Sequence, residues 1–315
     1  IFGGTVYAVS TVLTVFFTGL ALGALLIGRE MDKGRSPIKA YILLEVLIGI
    51  FGICSPLLFV GIDAVYYHIQ PLVVSSLAGL TAIRFVLSFL ALIVPTTLMG
   101  ATLPVLVKLV ATADQEVAEK AGRLYAINTV GAALGTILGA IVLIPLMGVN
   151  GSLYALGLVN LGIAAAAYVV FRGSPAQAKP PVQVEEPHTP LERYILFLFG
   201  IMGFVSMVYQ VAWIRLLIQV TGSTIYTFGL MLSVFIVGVG LGSEISTRLL
   251  HRIKNSLLAF VLIEMAASAY SLVLVSEFDR LPMLFTSLAL EQDAGFTGIL
   301  LLKVLINAIV LLFPT

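Results

Sequence analysis

Long apolar runs separated by short polar stretches dominate the hydrophobic pattern of this chain. Several runs hold 18 residues or more, which is about the length that an α-helix needs to cross the roughly 30 Å hydrocarbon core of a bilayer. The pattern therefore predicts an all-α, polytopic membrane bundle with nine spans. The predicted spans are 5–27, 40–61, 81–110, 122–146, 152–171, 194–219, 224–246, 257–276 and 297–315.

Prolines and polar residues interrupt this pattern at two places. The third span is too long for one straight crossing, and Pro95, Gly100 and Pro104 predict a kink within it. The stretch 173–192 contains five prolines and no apolar run. Its composition is typical of a flexible linker.

The pattern repeats at a constant offset of 219 residues. In each copy an apolar helix carries two glycines four residues apart, a basic turn follows, and a glutamate lies early in the next helix. Such a repeat indicates two related halves. The matched positions are Tyr7 with Tyr226, Gly19 with Gly238, Gly23 with Gly242, Arg29 with Arg248, Glu45 with Glu264, Arg84 with Lys303, Pro95 with Pro314 and Thr96 with Thr315.

The repeat and the linker predict the domain organisation. The helix 194–219 has no counterpart before residue 1, and the chain ends within a helix whose first copy continues to 110. We therefore expect a fragment: the first repeat lacks its first helix, and the second is truncated in its fourth. The predicted segments are a first repeat at 1–172, a linker at 173–192 and a second repeat at 193–315.

An even number of helices separates the two copies, so both have the same orientation in the membrane. A complete protein would have two parallel six-helix repeats, of which about nine helices are present here, and this is the arrangement of the major facilitator superfamily.

Composition and charge agree with a membrane protein and predict its orientation. The chain is 60% hydrophobic and 10% charged, against about 25% charged residues in soluble domains. Lys and Arg concentrate in alternate loops, whereas the loops 62–80 and 147–151 contain neither. By the positive-inside rule the basic loops face the cytoplasm. We predict a multi-pass protein of the cell (inner or plasma) membrane, with residue 1 outside and the linker 173–192 in the cytoplasm.

Several motifs resemble those of spermidine-synthase-like proteins. PTTLMGATLP at 95–104 and GRLYAINTVG at 122–131 resemble signatures of their membrane segments, and YQVAWIR at 209–215 resembles a motif on the first helix of such units. The loop 23–35 loosely resembles the facilitator motif between the second and third helices. In that family a facilitator-like membrane region is often fused to a cytosolic aminopropyltransferase-like domain. That domain is absent from this sequence, so the resemblance implies polyamine chemistry only through a part outside it.

Glycines at helical spacing are expected to pack helices together. Small residues four positions apart let two membrane helices approach closely. The glycine-rich stretch 238–242 lies inside an apolar span, which favours packing over nucleotide binding. The glycines predicted to pack helices are Gly19, Gly23, Gly131, Gly135, Gly139, Gly238 and Gly242.

Three basic residues lie in the outward halves of their spans and are candidates for a substrate cavity: Arg84, Arg215 and Lys303. Ionisable residues inside a membrane are rare and usually functional. A facilitator-like fold would direct all three towards one central cavity and would favour an anion or a carboxylate. The alternative is that they snorkel to the outer headgroups or form structural pairs.

Two repeated charge pairs lie at the cytoplasmic ends of adjacent helices. Arg29 with Glu45 and Arg248 with Glu264 are predicted to pin a helical hairpin, or to close a gate in a transport cycle.

The sequence predicts no catalytic residues, no metal site and no cofactor. The three histidines are far apart, and Cys54 is the only cysteine. We expect the lipid bilayer as a partner, with a small-molecule substrate or other membrane subunits, and no nucleic acid. Three functions stay open: transport of a small polar or anionic solute, the membrane region of a polyamine aminopropyltransferase (spermidine synthase)-like enzyme, or a structural subunit of a larger membrane complex.

Overall fold

The computed structural model describes residues 6–73, 76–110, 117–172, 189–250, 253, 255–291 and 295–314. These residues form mainly α-helices, and no β-strand occurs among them. A π-helical segment, Gly139–Leu143, joins α4 to α5, and a 3-10 turn, Phe278–Arg280, joins α8 to α9. The helices are α1 (Val6–Asp32), α2 (Pro37–Val73), α3 (Leu77–Val110), α4 (Val117–Leu138), α5 (Ile144–Phe171), α6 (Pro190–Thr221), α7 (Ile225–Leu250), α8 (Ser256–Glu277), α9 (Leu281–Glu291) and α10 (Phe296–Leu311).

Within the described residues, 7 helical stretches are long and apolar enough to cross a membrane. The longest, Lys120–Phe171, has 52 residues. At about 1.5 Å per residue it measures roughly 78 Å, more than twice the bilayer core. Gly148, with φ of 69°, breaks its helical geometry within the turn predicted at 147–151. The ninth predicted span contains the shorter apolar helix Thr297–Leu311.

Two predicted loops are largely helical. The predicted loop 62–80 begins inside α2, which continues to Val73, and the loop between the predicted spans 257–276 and 297–315 contains α9. These two loop predictions were wrong because a drop in hydropathy does not require a break in the helix. The polar aromatic residues near the end of α2, Tyr66, Tyr67 and His68, have ordinary helix propensity, and the helix continues through Pro71 to Val73.

The starts of the helices repeat along the chain. Helices α1, α2 and α3 begin at residues 6, 37 and 77, and α7, α8 and α10 begin at residues 225, 256 and 296. Each pair differs by 219 residues, which is the offset of the sequence repeat.

The chain forms two compact units, each made of two stretches. The first unit comprises residues 1–125 and 147–199, and the second comprises 126–146 and 200–315. These units are defined by packing, whereas the predicted repeats are defined by sequence. The predicted linker, 173–192, lies outside the described residues up to 188.

In the first unit, α1 and α3 approach each other closely enough for their backbones to touch. A Cβ atom on Gly19 would lie 1.8 Å from the Thr96 Oγ1, and one on Gly23 would lie 1.9 Å from the Thr97 carbonyl oxygen. A Cβ atom on Gly100 of α3 would in return lie 2.3 Å from the Leu20 carbonyl oxygen of α1. Only glycine fits such positions, because any side chain would push the helices apart.

In the second unit, the end of α4 and the π-helical segment pack against α7. The Ser233 hydroxyl donates a hydrogen bond to the Ala133 carbonyl at 3.3 Å. A Cβ atom on Gly229 would lie 2.3 Å from the Ala140 Cβ, and Gly240 lies against α4 farther along. Small residues therefore form this seam too, but side chains contribute to it on both helices.

Candidate functional site

Among the described residues, two charged side chains are buried: Glu45 in the first unit and Lys303 in the second. Burial of a charge in a low-dielectric interior is costly unless a partner compensates for it. The surroundings of Lys303 therefore show which group could compensate its charge.

Lys303 lies on α10, where 9% of the residue is exposed. Its Nζ donates a hydrogen bond to the Thr227 Oγ1 of α7 at 2.9 Å. Thr227 is fully buried, and its hydroxyl donates in turn to the Thr221 carbonyl at 3.2 Å. No carboxylate forms an ion pair with Lys303 in the described part of the chain. The ammonium group thus has a neutral partner and an uncompensated charge.

Asn307 lies one helical turn after Lys303 and is completely buried. Neither its Oδ1 nor its Nδ2 has a hydrogen-bond partner. A buried polar group left without a partner costs about 1–3 kcal/mol. Residues four positions apart share one face of a helix, so α10 presents a cation and an unpaired amide side by side.

Helix α6 carries a second pair of buried, unpaired polar groups. The Gln210 Oε1 and the Trp213 Nε1 lack partners, and both side chains belong to the buried face of α6. That face continues through Ile214 and Leu217. Arg215 is exposed, because its position on the helix directs it away from the buried face.

Arg84 has a different environment in the first unit. Its Nε donates a hydrogen bond to the Tyr66 hydroxyl at 2.9 Å. Its guanidinium carbon lies 5.4 Å from the centroid of the same ring, which is within the range of a cation–π interaction. Arg84 of α3 is therefore held by one aromatic residue of α2.

The three predicted cavity cations thus have three different environments. Arg84 is partnered in the first unit, Lys303 is buried in the second, and Arg215 is exposed. A cavity shared by all three stays a prediction.

The predicted pairs Arg29–Glu45 and Arg248–Glu264 are not among the ion pairs that the described residues form. Arg248 instead pairs with Glu244, four residues earlier on its own helix, at 2.7 Å. The turn after α1 is closed by Glu30, whose carboxylate binds the neighbouring lysine at 2.5 Å and an arginine at 3.0 Å. A carboxylate closer along the chain thus binds Arg248, and a gate role for the repeated pairs stays a prediction.

The predicted glycines have different surroundings. Gly19 and Gly23 contact α3, whereas a Cβ atom on Gly131, Gly135 or Gly139 would meet no atom within 4 Å. Within the second unit α4 turns its other face, with Ala133, towards α7, and a helix seam at these last three stays a prediction. Gly238 is buried and Gly242 is half-buried on α7.

Sequence reasoning missed Asn307, Gln210 and Thr227 as candidate site residues. A usable signal existed for the first, since Asn307 is an amide four residues after a lysine in an otherwise apolar helix. Thr227 carried no signal, because its contact with Lys303 joins two helices 76 residues apart. No cluster of metal-ligating side chains occurs among the described residues.

Comparison with known proteins gives one result at the level of a family. A family model described as Major Facilitator Superfamily matches residues 1–314. No curated protein and no solved structure shows a significant match to the chain.

Proposed function

Since the chain belongs to the Major Facilitator Superfamily, we propose that this transporter-like membrane protein carries a small anionic solute and binds it at Lys303. The family and the long apolar helices support membrane transport in general. The buried lysine supports the choice of an anion.

We also propose the architecture predicted from the repeat, two parallel six-helix units with the first residue outside. The constant offset between the starts of six helices supports it. Parallel repeats of this kind are typical of carriers whose substrate site lies near the middle of the membrane.

The uncompensated charge of Lys303 is the observation that carries the proposal. A lysine at the centre of a membrane helix costs about 2.5–3.5 kcal/mol on insertion scales. If position 303 had a purely structural role, an apolar side chain there would be more favourable, because burial of a charge without an opposite charge is unfavourable. A bound anion would supply that opposite charge and would accept the ammonium hydrogens that Thr227 leaves unused.

The same charge argues against a polycationic substrate at this site. Two like charges 4 Å apart in a medium of effective dielectric constant 20 repel each other by about 4 kcal/mol. A polyamine would face this repulsion without a nearby carboxylate to offset it, since Lys303 pairs with none in the described part of the second unit.

The test is exchange transport by the intact protein in proteoliposomes, with labelled small carboxylates in one arm and labelled spermidine in the other. We expect saturable carboxylate exchange and no spermidine exchange. Lys303→Gln should slow carboxylate exchange at least tenfold, because a hydrogen bond to a charged group contributes about 1.5–3 kcal/mol.

Arg280→Gln is the matched control, since Arg280 is an exposed cation of the same unit that pairs with Glu277. It should leave exchange unchanged. Equal losses in the two variants, or exchange of spermidine alone, would reject an anion carrier that uses Lys303.

A second candidate is the membrane region of an aminopropyltransferase-like enzyme. The motifs at 95–104, 122–131 and 209–215 favour it, because they resemble membrane segments that are often fused to such a domain. Aminopropyl transfer to putrescine by the full natural protein would support it. An intact natural protein that transports carboxylates and shows no transferase activity would favour transport over aminopropyl transfer.

A further inference from the structure

The amide of Asn307 provides information about the solute that Lys303 alone does not. Both its hydrogen-bonding atoms are buried and unpaired, so the Oδ1 lacks a donor and the Nδ2 lacks an acceptor. A single ligand group that satisfies both atoms must itself donate and accept. A hydroxyl is the smallest group that does so.

The position of this amide relates the hydroxyl to the charged end of the solute. Side chains at i and i+4 on a helix have Cβ atoms about 5–6 Å apart. A ligand whose carboxylate binds the Lys303 ammonium therefore carries its second polar group only a short distance away. An ammonium group in that place would donate but not accept, and it would be repelled by Lys303.

We propose, as a refinement that rests on the anion carrier above, that the solute is a small hydroxycarboxylate. Its carboxylate binds Lys303, and its hydroxyl donates to the Asn307 Oδ1 and accepts from the Nδ2. Thr227 holds the ammonium in place through the 2.9 Å hydrogen bond. Asn307 is thus a specificity determinant, whereas Lys303 contributes affinity for any carboxylate.

Both side chains are closed off in this conformation, with 9% and 0% of Lys303 and Asn307 exposed. The solute therefore reaches them only when α10 and its neighbours separate. Such a change between closed and open states is the alternating access expected of carriers in which one bundle rocks against another.

The experiment measures binding of matched carboxylates to the intact purified protein. The pairs are lactate with propionate, and 3-hydroxybutyrate with butyrate, each differing mainly by one hydroxyl; alanine tests the amino group. The wild type should bind each hydroxy acid roughly tenfold more tightly than its partner, as expected for two neutral hydrogen bonds, and should bind alanine no better than propionate.

Asn307→Leu should reduce the ratio of the hydroxy-acid and plain-acid affinities from roughly tenfold to about one, because one neutral hydrogen-bonding group is removed and the charge of Lys303 remains. Asn307→Ala serves the same purpose if the leucine variant fails to fold. Lys303→Gln should weaken all the carboxylates together.

The outcomes separate the two proposals. Equal binding of hydroxy and plain acids by the wild type, or a preference that persists in Asn307→Leu, rejects the hydroxycarboxylate and leaves the anion carrier standing. Failure of the wild type to bind any carboxylate rejects both the anion carrier and the hydroxycarboxylate proposal.

Discussion

Arg84 and Lys303 occupy equivalent positions of the two repeats, 219 residues apart, but they bind different partners. Arg84 binds the hydroxyl and the ring face of one tyrosine on α2. Lys303 binds a single threonine of α7, and an unpaired amide lies one turn away. The first cation is satisfied by an aromatic neighbour, whereas the second leaves donors for a ligand.

The comparison shows that a repeat can preserve a cation while its partners change. The Tyr66 position corresponds to Phe285 in the second copy, which has no hydroxyl. Thr227 corresponds to Ala8, which cannot accept a hydrogen bond through its side chain. Each cation therefore binds a residue that the other repeat lacks, and only the second repeat combines it with a buried amide.

The helix seams differ between the two units in a similar way. Glycines of α1 meet backbone atoms of α3, whereas Gly229 of α7 meets the side chain of Ala140. Backbone cannot move out of the way as a side chain can. The first seam should therefore tolerate substitution less well than the second.

The largest expected effect is at the α1–α3 seam. Gly23→Leu would force side-chain atoms into the Thr97 carbonyl, and we expect a loss of about 3 kcal/mol or failure to fold, at or above the upper end for overpacking. Thermal unfolding in detergent measures it. Gly135→Leu, at an open glycine, is the control and should change the melting temperature little. A similar fall in the melting temperature of both variants would show that close packing of Gly23 against α3 does not cause the loss of stability.

A smaller effect is expected at the α4–α7 seam. Gly229→Leu should lower stability by about 1–3 kcal/mol, because Ala140 must shift to make room. Gly200→Leu, where a Cβ atom meets nothing within 4 Å, should be near neutral under the same thermal assay. A loss larger than that of Gly23→Leu would reverse the ranking of the two seams.

Removal of the Tyr66 hydroxyl tests how much the hydrogen bond to Arg84, the cation of the first unit, contributes to stability. Tyr66→Phe keeps the ring under Arg84 and deletes the 2.9 Å hydrogen bond, so we expect a stability loss of about 1 kcal/mol with carboxylate affinity unchanged. Tyr67→Phe, at an exposed ring, is the control for unfolding. A fall in carboxylate affinity in Tyr66→Phe would place Arg84 in the binding site.

The smallest effect is expected at the exposed pair of Arg248 and Glu244, one turn apart on α7. Arg248→Gln should cost about 0.3–0.5 kcal/mol, and molar salt should remove the difference because it screens exposed charges. Thermal unfolding at low and high salt measures it. A loss that persists at high salt would indicate a partner other than Glu244.

The sequence predicts the helices and their repeat better than the contacts between them. Hydropathy identified apolar spans because long runs of apolar residues can only be buried in lipid or protein, and the 219-residue offset reappears in the starts of the helices. Helix ends were less predictable, as α2 shows, because Tyr66 and His68 lower hydropathy without ending a helix.

Side-chain partners were the least predictable feature. Spacing shows that Gly131, Gly135 and Gly139 share a face of α4, but it does not show which face meets another helix. Arg248 pairs with Glu244, which lies closer along the chain than the predicted partner, Glu264. Lys303 was predicted as a candidate because it is a charge within an apolar span, whereas its contact with Thr227 depends on the packing of α7 against α10.

The anion site of the second unit is tested most directly by the affinity of the intact protein for a labelled carboxylate in three forms: wild type, Lys303→Gln and Arg84→Gln. We expect a loss of roughly tenfold or more in Lys303→Gln, the size of a charge-assisted hydrogen bond, and a change within about twofold in Arg84→Gln. A loss confined to Arg84→Gln, or an equal loss in both variants, would contradict the assignment of the anion site to the second unit.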